Sequence, residues 1–366
     1  MTETERPVVK LTTPADLVGA IPWLVGFHPE ESLVVLCLKG PRLRTGLTMR
    51  VDLPAPEDEI TVAEELAARV EHDGAGSVFL VCYTTAADGG PPDADARVST
   101  VGSRGGLPRA AFVEALDRAL GHRGIGCKDA LLVRGGRCHS YTCDVEECCP
   151  GAGRPLPETP TPAVSRVAAE DVVSGRAPLS GRAELERSVR GPVGLRRVVA
   201  DAACERAYRA VAAEVAADGG AARARTLALL GEVLRSYEAG RPELPDDTAA
   251  RVAVGLLDRQ ARDEVVTWIL ESAEAPLTAL LGDLVRATPD PACPPVCTVL
   301  AWVAHAFGNG ALANVAVDRA LRHDPDYTMA KLVREGLNRQ VPPRAVRQVC
   351  ADVRRNLDER RRRPGA

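Results

Sequence analysis

Two short stretches hold most of the side chains able to do chemistry. The first is Gly26-Phe27-His28-Pro29-Glu30-Glu31-Ser32, directly ahead of the apolar run Leu33–Leu38. An imidazole titrates near neutrality, at about 6.5, so His28 can serve as a general base or acid. Glu30 or Glu31 can orient it, and Ser32 can act as a nucleophile. No Gly-x-Ser-x-Gly elbow surrounds Ser32, however, and the same residues serve equally as a polar turn into a strand. Arg50 and Asp52 alternate with Met49, Val51 and Leu53, which puts both on one strand face about 7 Å apart. Turned towards the histidine loop, they complete a cluster of His28, Glu31, Arg50 and Asp52. Turned to solvent, they form a surface ion pair worth about 0–1 kcal/mol.

The second stretch is Cys138-His139-Ser140-Tyr141-Thr142-Cys143, followed closely by Cys148-Cys149-Pro150. Zinc takes four tetrahedral sulfur or nitrogen ligands, and His139, Cys143, Cys148 and Cys149 can supply them. No Cys-x-x-Cys pair is present, and adjacent cysteines resist aiming both sulfurs at one ion. His139 and Cys143 share a strand face only if the strand runs that far. Structural thiols in a tight turn, or redox chemistry, are the other readings. Familiar devices are missing: no phosphate-binding Gly-rich loop, no His-Glu-x-x-His, no calcium loop. The pairs Asp93/Asp95 and Asp324/Asp326 fall in turns, and Arg360–Arg363 reads as a solvated basic tail.

These residues need a scaffold, and the first part of the chain alternates strand and helix patterns. Val8–Leu11 can open with a strand. Thr13 then caps a helix with Pro14 at its first position and Leu17, Ile21 and Leu24 on one face, which Pro22 kinks or ends early. Ser32–Leu38 is apolar on both faces, as a covered inner strand is. Gly40–Pro41 turns the chain into the strand carrying Arg50 and Asp52. A helix from Glu57 to Glu71 points Ile60, Ala63, Ala67 and Val70 inward. Ser77–Tyr83 is another buried strand, and Thr84–Gly106 is a long loop. Phe112, Leu116 and Leu120 mark a helix. A hairpin turning at Gly135–Gly136 follows. The fold class is α/β, a mixed sheet with flanking helices in the order β-α-β-β-α-β-α-β-β.

Prolines gather from Pro150 to Pro162, which predicts a linker at 150–162 between an α/β domain at 1–149 and a second domain at 163–366. The second domain is all helical, with patterns at Leu195–Val215, Ala222–Tyr237, Asp247–Asp258 and Arg344–Leu357. Leu300, Ala301, Ala313, Val317, Ala320 and Pro325 fall at the spacings of one tetratricopeptide-like hairpin. A single unit is too few for a solenoid.

Composition narrows the classes. The 366 residues carry a formal net charge of −4, which argues against a nucleic-acid partner. No apolar run reaches the roughly 18–20 residues of a membrane span. The start of the chain lacks a signal-type apolar stretch, and eleven scattered cysteines suit reduced thiols, so a cytoplasmic location is expected.

Taken together, LTTPADLVGAIPWLVGFHPEESLVVL, MRVDLP, SYTCDVEECCP and AWVAHAFGNGALANVAVDRALRHDPDYTMAKL resemble the actinobacterial family known as domain of unknown function 4192. The resemblance covers nearly the whole chain and implies a cytoplasmic actinobacterial protein with no established activity and no catalytic residues to carry over. Three readings stand. One is a non-enzymatic regulatory or interaction protein that meets a protein partner through its helical domain. Another is a small-ligand-binding or hydrolase-like α/β domain using His28, Glu31, Arg50 and Asp52. The third is a domain stabilised by zinc at the cysteine cluster.

Overall fold

The apolar run after Glu31 forms β1 (Ser32–Lys39), whose first seven residues are all buried. It pairs antiparallel with β2 (Arg44–Asp52) on one side and β3 (Ser77–Tyr83) on the other. A computed structural model, which describes residues 9–85, 106–143, 145–173 and 175–362, places these in a six-stranded mixed sheet. The order is β2-β1-β3-β4-β5-β6, with β4 at Gly126–Arg134, β5 at Arg137–Ser140 and β6 at Arg154–Pro155. Only β3 and β4 run parallel. Gly135 and Gly136, both at positive φ, make the tight turn between β4 and β5.

Period-two alternation gives the sheet two apolar faces, and helices cover both. Leu33, Val35, Leu80 and Leu132 meet α2 (Glu59–Asp73) and α3 (Ala110–Gly121) through Ala63, Leu66, Val70, Phe112 and Leu116. Val34, Leu36, Val81 and Leu131 meet α1 (Pro14–Val25) through Leu17, Val18 and Ile21. Pro22 lies within α1, which ends one turn later where Gly26 adopts the left-handed conformation. Two expectations need correction here. Val9–Leu11 forms no strand; Leu11 instead packs against the α1 face of the core. Ile60 is 71% exposed, because α2 starts only at Glu59 and Leu66 takes the inward place. The predicted loop from Thr84 falls largely outside the described residues.

The chain divides into two compact units, and the first extends past residue 149. Arg154 and Pro155 pair with β5, Leu156 packs on the sheet, and α4 (Pro162–Val173) packs against α1. The proline-rich segment is therefore built into the α/β unit and is no free linker. Ala177–Gly181 also returns to this unit, where Phe27 bridges Leu179. Gly19 makes the close approach of α4 possible, since a Cβ there would lie 2.8 Å from Val164. Polar chemistry then locks the contact. Asp16 closes a capping box with Thr13 and accepts from the Thr12 and Thr13 amides, each at 3.0 Å. Its other oxygen accepts the Thr161 hydroxyl at 2.6 Å.

The second unit is helical throughout its described residues. α5 (Arg182–Ser188) leads to α6 (Leu195–Glu238), which breaks at the extended Asp218 and so matches the two patterns expected there. α7 (Asp246–Gly255), α8 (Arg259–Val266) and α9 (Glu274–Ala287) follow. α10 (Cys293–Ala306) and α11 (Gly310–His323) form a helical hairpin, with Leu300, Ala301, Ala313, Val317 and Ala320 wholly buried. α12 (Thr328–Asn338) and α13 (Pro343–Arg362) end the chain's described part. Arg319, 3% exposed, donates to the carbonyls of Val189, Val285 and Thr288 and to Asp290 Oδ1. One guanidinium thus ties α11 to three other segments.

Burial pushes the Asp16 carboxyl up, but the bonds from Thr161, Thr12 and Thr13 outweigh it and hold the pKa at about 2. A folded-state pKa below the unfolded value stabilises fully above the latter, 3.8, and is lost as pH falls through about 2. Urea unfolding of Asp16→Asn should show a loss of about 1–3 kcal/mol at neutral pH and a flatter decline below pH 4 than wild type. Identical acid limbs in the two proteins would mean that the sensitive protons bind elsewhere.

Candidate functional site

The strand end that carries the histidine loop splits the expected cluster into two networks. Glu31 stands at φ 39, a conformation uncommon outside glycine. Its carbonyl accepts the Leu53 amide at 3.0 Å, tying the start of β1 to the end of β2. Its carboxylate turns to the end of β3, accepting the Thr84 hydroxyl at 2.8 Å, the Thr85 amide at 2.6 Å and the Thr85 hydroxyl at 2.8 Å. Burial raises the Glu31 pKa, but these bonds and the charge of Arg109 outweigh it and hold the carboxyl below its usual value. Arg109, itself at φ 63 ahead of α3, pairs with Glu59 at 2.9 Å and donates to the Pro54 carbonyl at 3.0 Å.

Arg50 belongs to the other network. Its guanidinium lies 2.6 Å from Asp52, donates to the Glu30 carbonyl at 3.3 Å and sits over the Phe27 ring at 5.7 Å. The arginine side chain is 9% exposed and the aspartate 70%. A pair with so exposed an aspartate is worth about 0–1 kcal/mol, and the Phe27 ring and the Glu30 carbonyl add to what holds Arg50. His28 is exposed, and its backbone N–H is fixed to the Leu179 carbonyl at 3.0 Å. Ser32 is wholly buried at the start of β1, out of reach for a nucleophile. Among the described residues, Glu31 makes no hydrogen bond to His28, Arg50 or Asp52, and its carboxylate and the Arg50 guanidinium each tie a strand end to a neighbouring segment. Thr84, Thr85, Arg109 and Glu59 are the partners that sequence reading missed. They lie more than 25 residues from Glu31, and no local pattern marks them.

The cysteine stretch behaves differently. Ser140 ends β5, and its hydroxyl oxygen accepts the amides of Thr142 at 3.1 Å and Cys143 at 3.0 Å, so the chain turns before Cys143. The Cys148 and Cys149 amides both donate to Val145, and Arg137 clamps the carbonyls of Ala152 and Gly153. This tight loop brings Cys143, Cys148 and Cys149 together with their sulfurs within 4.8 Å of one another. His139 is not part of that group. It stays on β5, and its ring fills the space over Gly153, where a Cβ would lie 2.6 Å from it.

The neighbouring pair resolves the objection to adjacent cysteines. The Cys148 and Cys149 sulfurs are 3.8 Å apart. A Zn–S bond of about 2.3 Å in a tetrahedron gives an S···S edge of about 3.8 Å, so the donor set fits a thiophilic ion. Burial, and then hydrogen bonding with Cys143 and Cys148, pushes the Cys149 thiol up to about 12. Without an ion the Cys149 thiol is held neutral; a bound cation inverts that preference by stabilising the thiolate.

A mixed sheet covered by helices, followed by a helical unit, defines a two-unit α/β-plus-α protein, and among the described residues no helix is long and apolar enough to cross a membrane. The family model described as "Domain of unknown function (DUF4192)" matches residues 14–344, spanning both units, and the chain belongs to this family. No curated protein and no solved structure matches it.

Glu31→Ala removes three acceptor bonds at once. Stability should fall by about 1–3 kcal/mol, and amide exchange at Thr85 should accelerate relative to strand residues of β3. Unchanged Thr85 protection would show that the carboxylate does not hold this strand end.

Proposed function

We propose that the chain is a non-enzymatic interaction protein whose α/β unit is fastened by a thiol-bound zinc-class ion. The observation that carries this reading is the convergence of the Cys143, Cys148 and Cys149 sulfurs within 4.8 Å, with Cys148 and Cys149 at a tetrahedral edge of 3.8 Å. Three thiolates fill three positions, and water or a carboxylate takes the fourth. Coordination joins the segment after β5 to the segment leading into β6, so the ion stabilises the edge of the sheet. A cytoplasmic setting belongs to the same reading, supported by eleven free cysteines.

The non-enzymatic part is supported by the way the strand-end groups are used. Glu31, Arg50 and Asp52 meet other groups of the strand ends rather than His28. A partner surface is supported on the helical unit, where Leu195, Val198 and Val199 lie within five residues at the start of α6 and are 85%, 64% and 50% exposed. Single exposed apolar residues are ordinary, but three at positions i, i+3 and i+4 share one helix face and make a patch. The α10–α11 hairpin fits a tetratricopeptide-like unit in its small residues, but those residues face the unit's own core.

Elemental analysis of tag-free protein tests the ion. Wild type should hold about one equivalent of zinc more per chain than Cys148→Ser/Cys149→Ser, and chelation should lower the wild-type melting temperature but not the variant's by the same step. Equal metal content in the two proteins sinks the reading.

A further inference from the structure

The helical unit holds a second convergence of ligating atoms. Asp290 opens a short turn of 3₁₀ helix, Cys293 is the first residue of α10, and His323 is the last residue of α11. Folding α10 and α11 into a hairpin brings the start of one helix beside the end of the other. A carboxylate oxygen, a sulfur and an imidazole nitrogen from three points of the chain then lie within 4.8 Å of one another. We propose that Asp290, Cys293 and His323 form a divalent-metal site, with zinc the best match in donor chemistry and geometry.

The distances match those an ion would impose. His323 Nε2 lies 3.3 Å from Asp290 Oδ1. That is long for a charge-assisted hydrogen bond, which closes to about 2.7–2.9 Å. Zinc at about 2.0–2.1 Å from both atoms requires an N···O edge of about 3.3 Å. The carboxylate also has an outer partner in place, because Arg319 donates to Asp290 Oδ1 at 3.1 Å and is itself anchored on three backbone carbonyls. Such supports orient ligands and are part of most metal sites. Gly191 is needed there, since a Cβ at that position would collide with the Arg319 guanidinium.

The neighbouring cation sets a condition on the fourth ligand. An ion of charge +2, the Asp290 carboxylate, the Cys293 thiolate and the Arg319 guanidinium sum to +1. One more anion brings the group to zero. Hydroxide on the ion supplies it, while the buried Cys297, one helical turn beyond Cys293, hydrogen-bonds to the Cys293 sulfur from outside the ligand group. Arg197, 3.8 Å from Asp290, is also balanced by Asp201 at 3.6 Å. Binding releases the Cys293 proton to solvent, and the bonds formed are sulfur, nitrogen and oxygen to the ion. The ion would join the far end of α11 to the entry of α10, where Pro289 and Pro291 line a cleft of about 390 Å³ with Cys204 and Tyr208.

The test uses the full chain carrying Cys148→Ser and Cys149→Ser, which removes the other thiol group from the measurement. The protein is loaded with Co²⁺ and dialysed. About one equivalent should remain, with tetrahedral d–d absorption and a thiolate-to-cobalt band in the near ultraviolet. Adding His323→Ala, at a side chain 29% exposed, or the near-isosteric Asp290→Asn should reduce retention at least tenfold. Far-ultraviolet circular dichroism verifies that both variants keep their helices. Absence of retained cobalt, or retention and spectra unchanged by either substitution, would overturn the site. A band of one-thiolate intensity fits Cys293 as the single sulfur ligand, and two-thiolate intensity would overturn this donor set.

Discussion

One carboxylate, Asp16, holds together chain segments that are 145 residues apart, and the α/β unit is arranged around that connection. Its oxygens order the start of α1 through Thr12 and Thr13 and the start of α4 through Thr161. Once α1 is set, its apolar side covers Val34, Leu36, Val81 and Leu131, which would otherwise face water. That cover is what allows β1 to be apolar on both faces, because α2 and α3 serve only the other one. Small residues do the steric part, with Gly19 giving Val164 room to approach. A charged group in so enclosed a place is tolerable because four donors satisfy it, and those donors come from two regions that must both be in position.

Local chemistry was legible in the sequence, and distant pairing was not. The strand Ser77–Tyr83, the Gly135–Gly136 turn and the Phe112–Leu120 stripe each follow from their own residues, and each is found where its pattern lies. The proline-rich segment misleads because composition describes a stretch without its partners. Thr161 and Leu156 bind it to elements more than 100 residues earlier or across the sheet. Val9–Leu11 has the apolar character of a strand but no neighbour to pair with, and propensity alone cannot supply one. The same limit applies to the site residues. Glu31 and Arg50 stand out by type, but their roles depend on Thr84, Thr85 and Phe27.

The two kinds of polar cluster differ in how their charge is handled. At the strand end, carboxylates meet hydroxyls, amides and guanidinium groups, so their ionised forms are stabilised by the protein itself. At the cysteine loop, sulfurs converge with few internal donors to favour the ionised Cys149 thiol, whereas at the α10–α11 corner the Cys297 bond and Arg319 lower the Cys293 pKa and ready it for a cation. Such groups gain from an external cation in a way that Glu31 and Asp52 do not. Sequence reading found Cys143, Cys148 and Cys149 by their density, whereas His323 lies 30 residues beyond Cys293 and joins Asp290 and Cys293 only once the helices fold back.

The borders of the sheet have a consequence for the chain in a crowded solution. An open strand border exposes N–H and C=O groups that can recruit a strand from another molecule and seed aggregates. Here one border is β6, only two residues long and ending in Pro155, which has no N–H to offer. The other is β2, which carries Arg44, Arg50 and Asp52 and pairs with β1 through an irregular register near Leu36–Leu38. Charged side chains and a broken pleat make a poor template for a second copy. A protein rich in alanine and valine can therefore fold around a β-sheet and still keep its copies from zipping together.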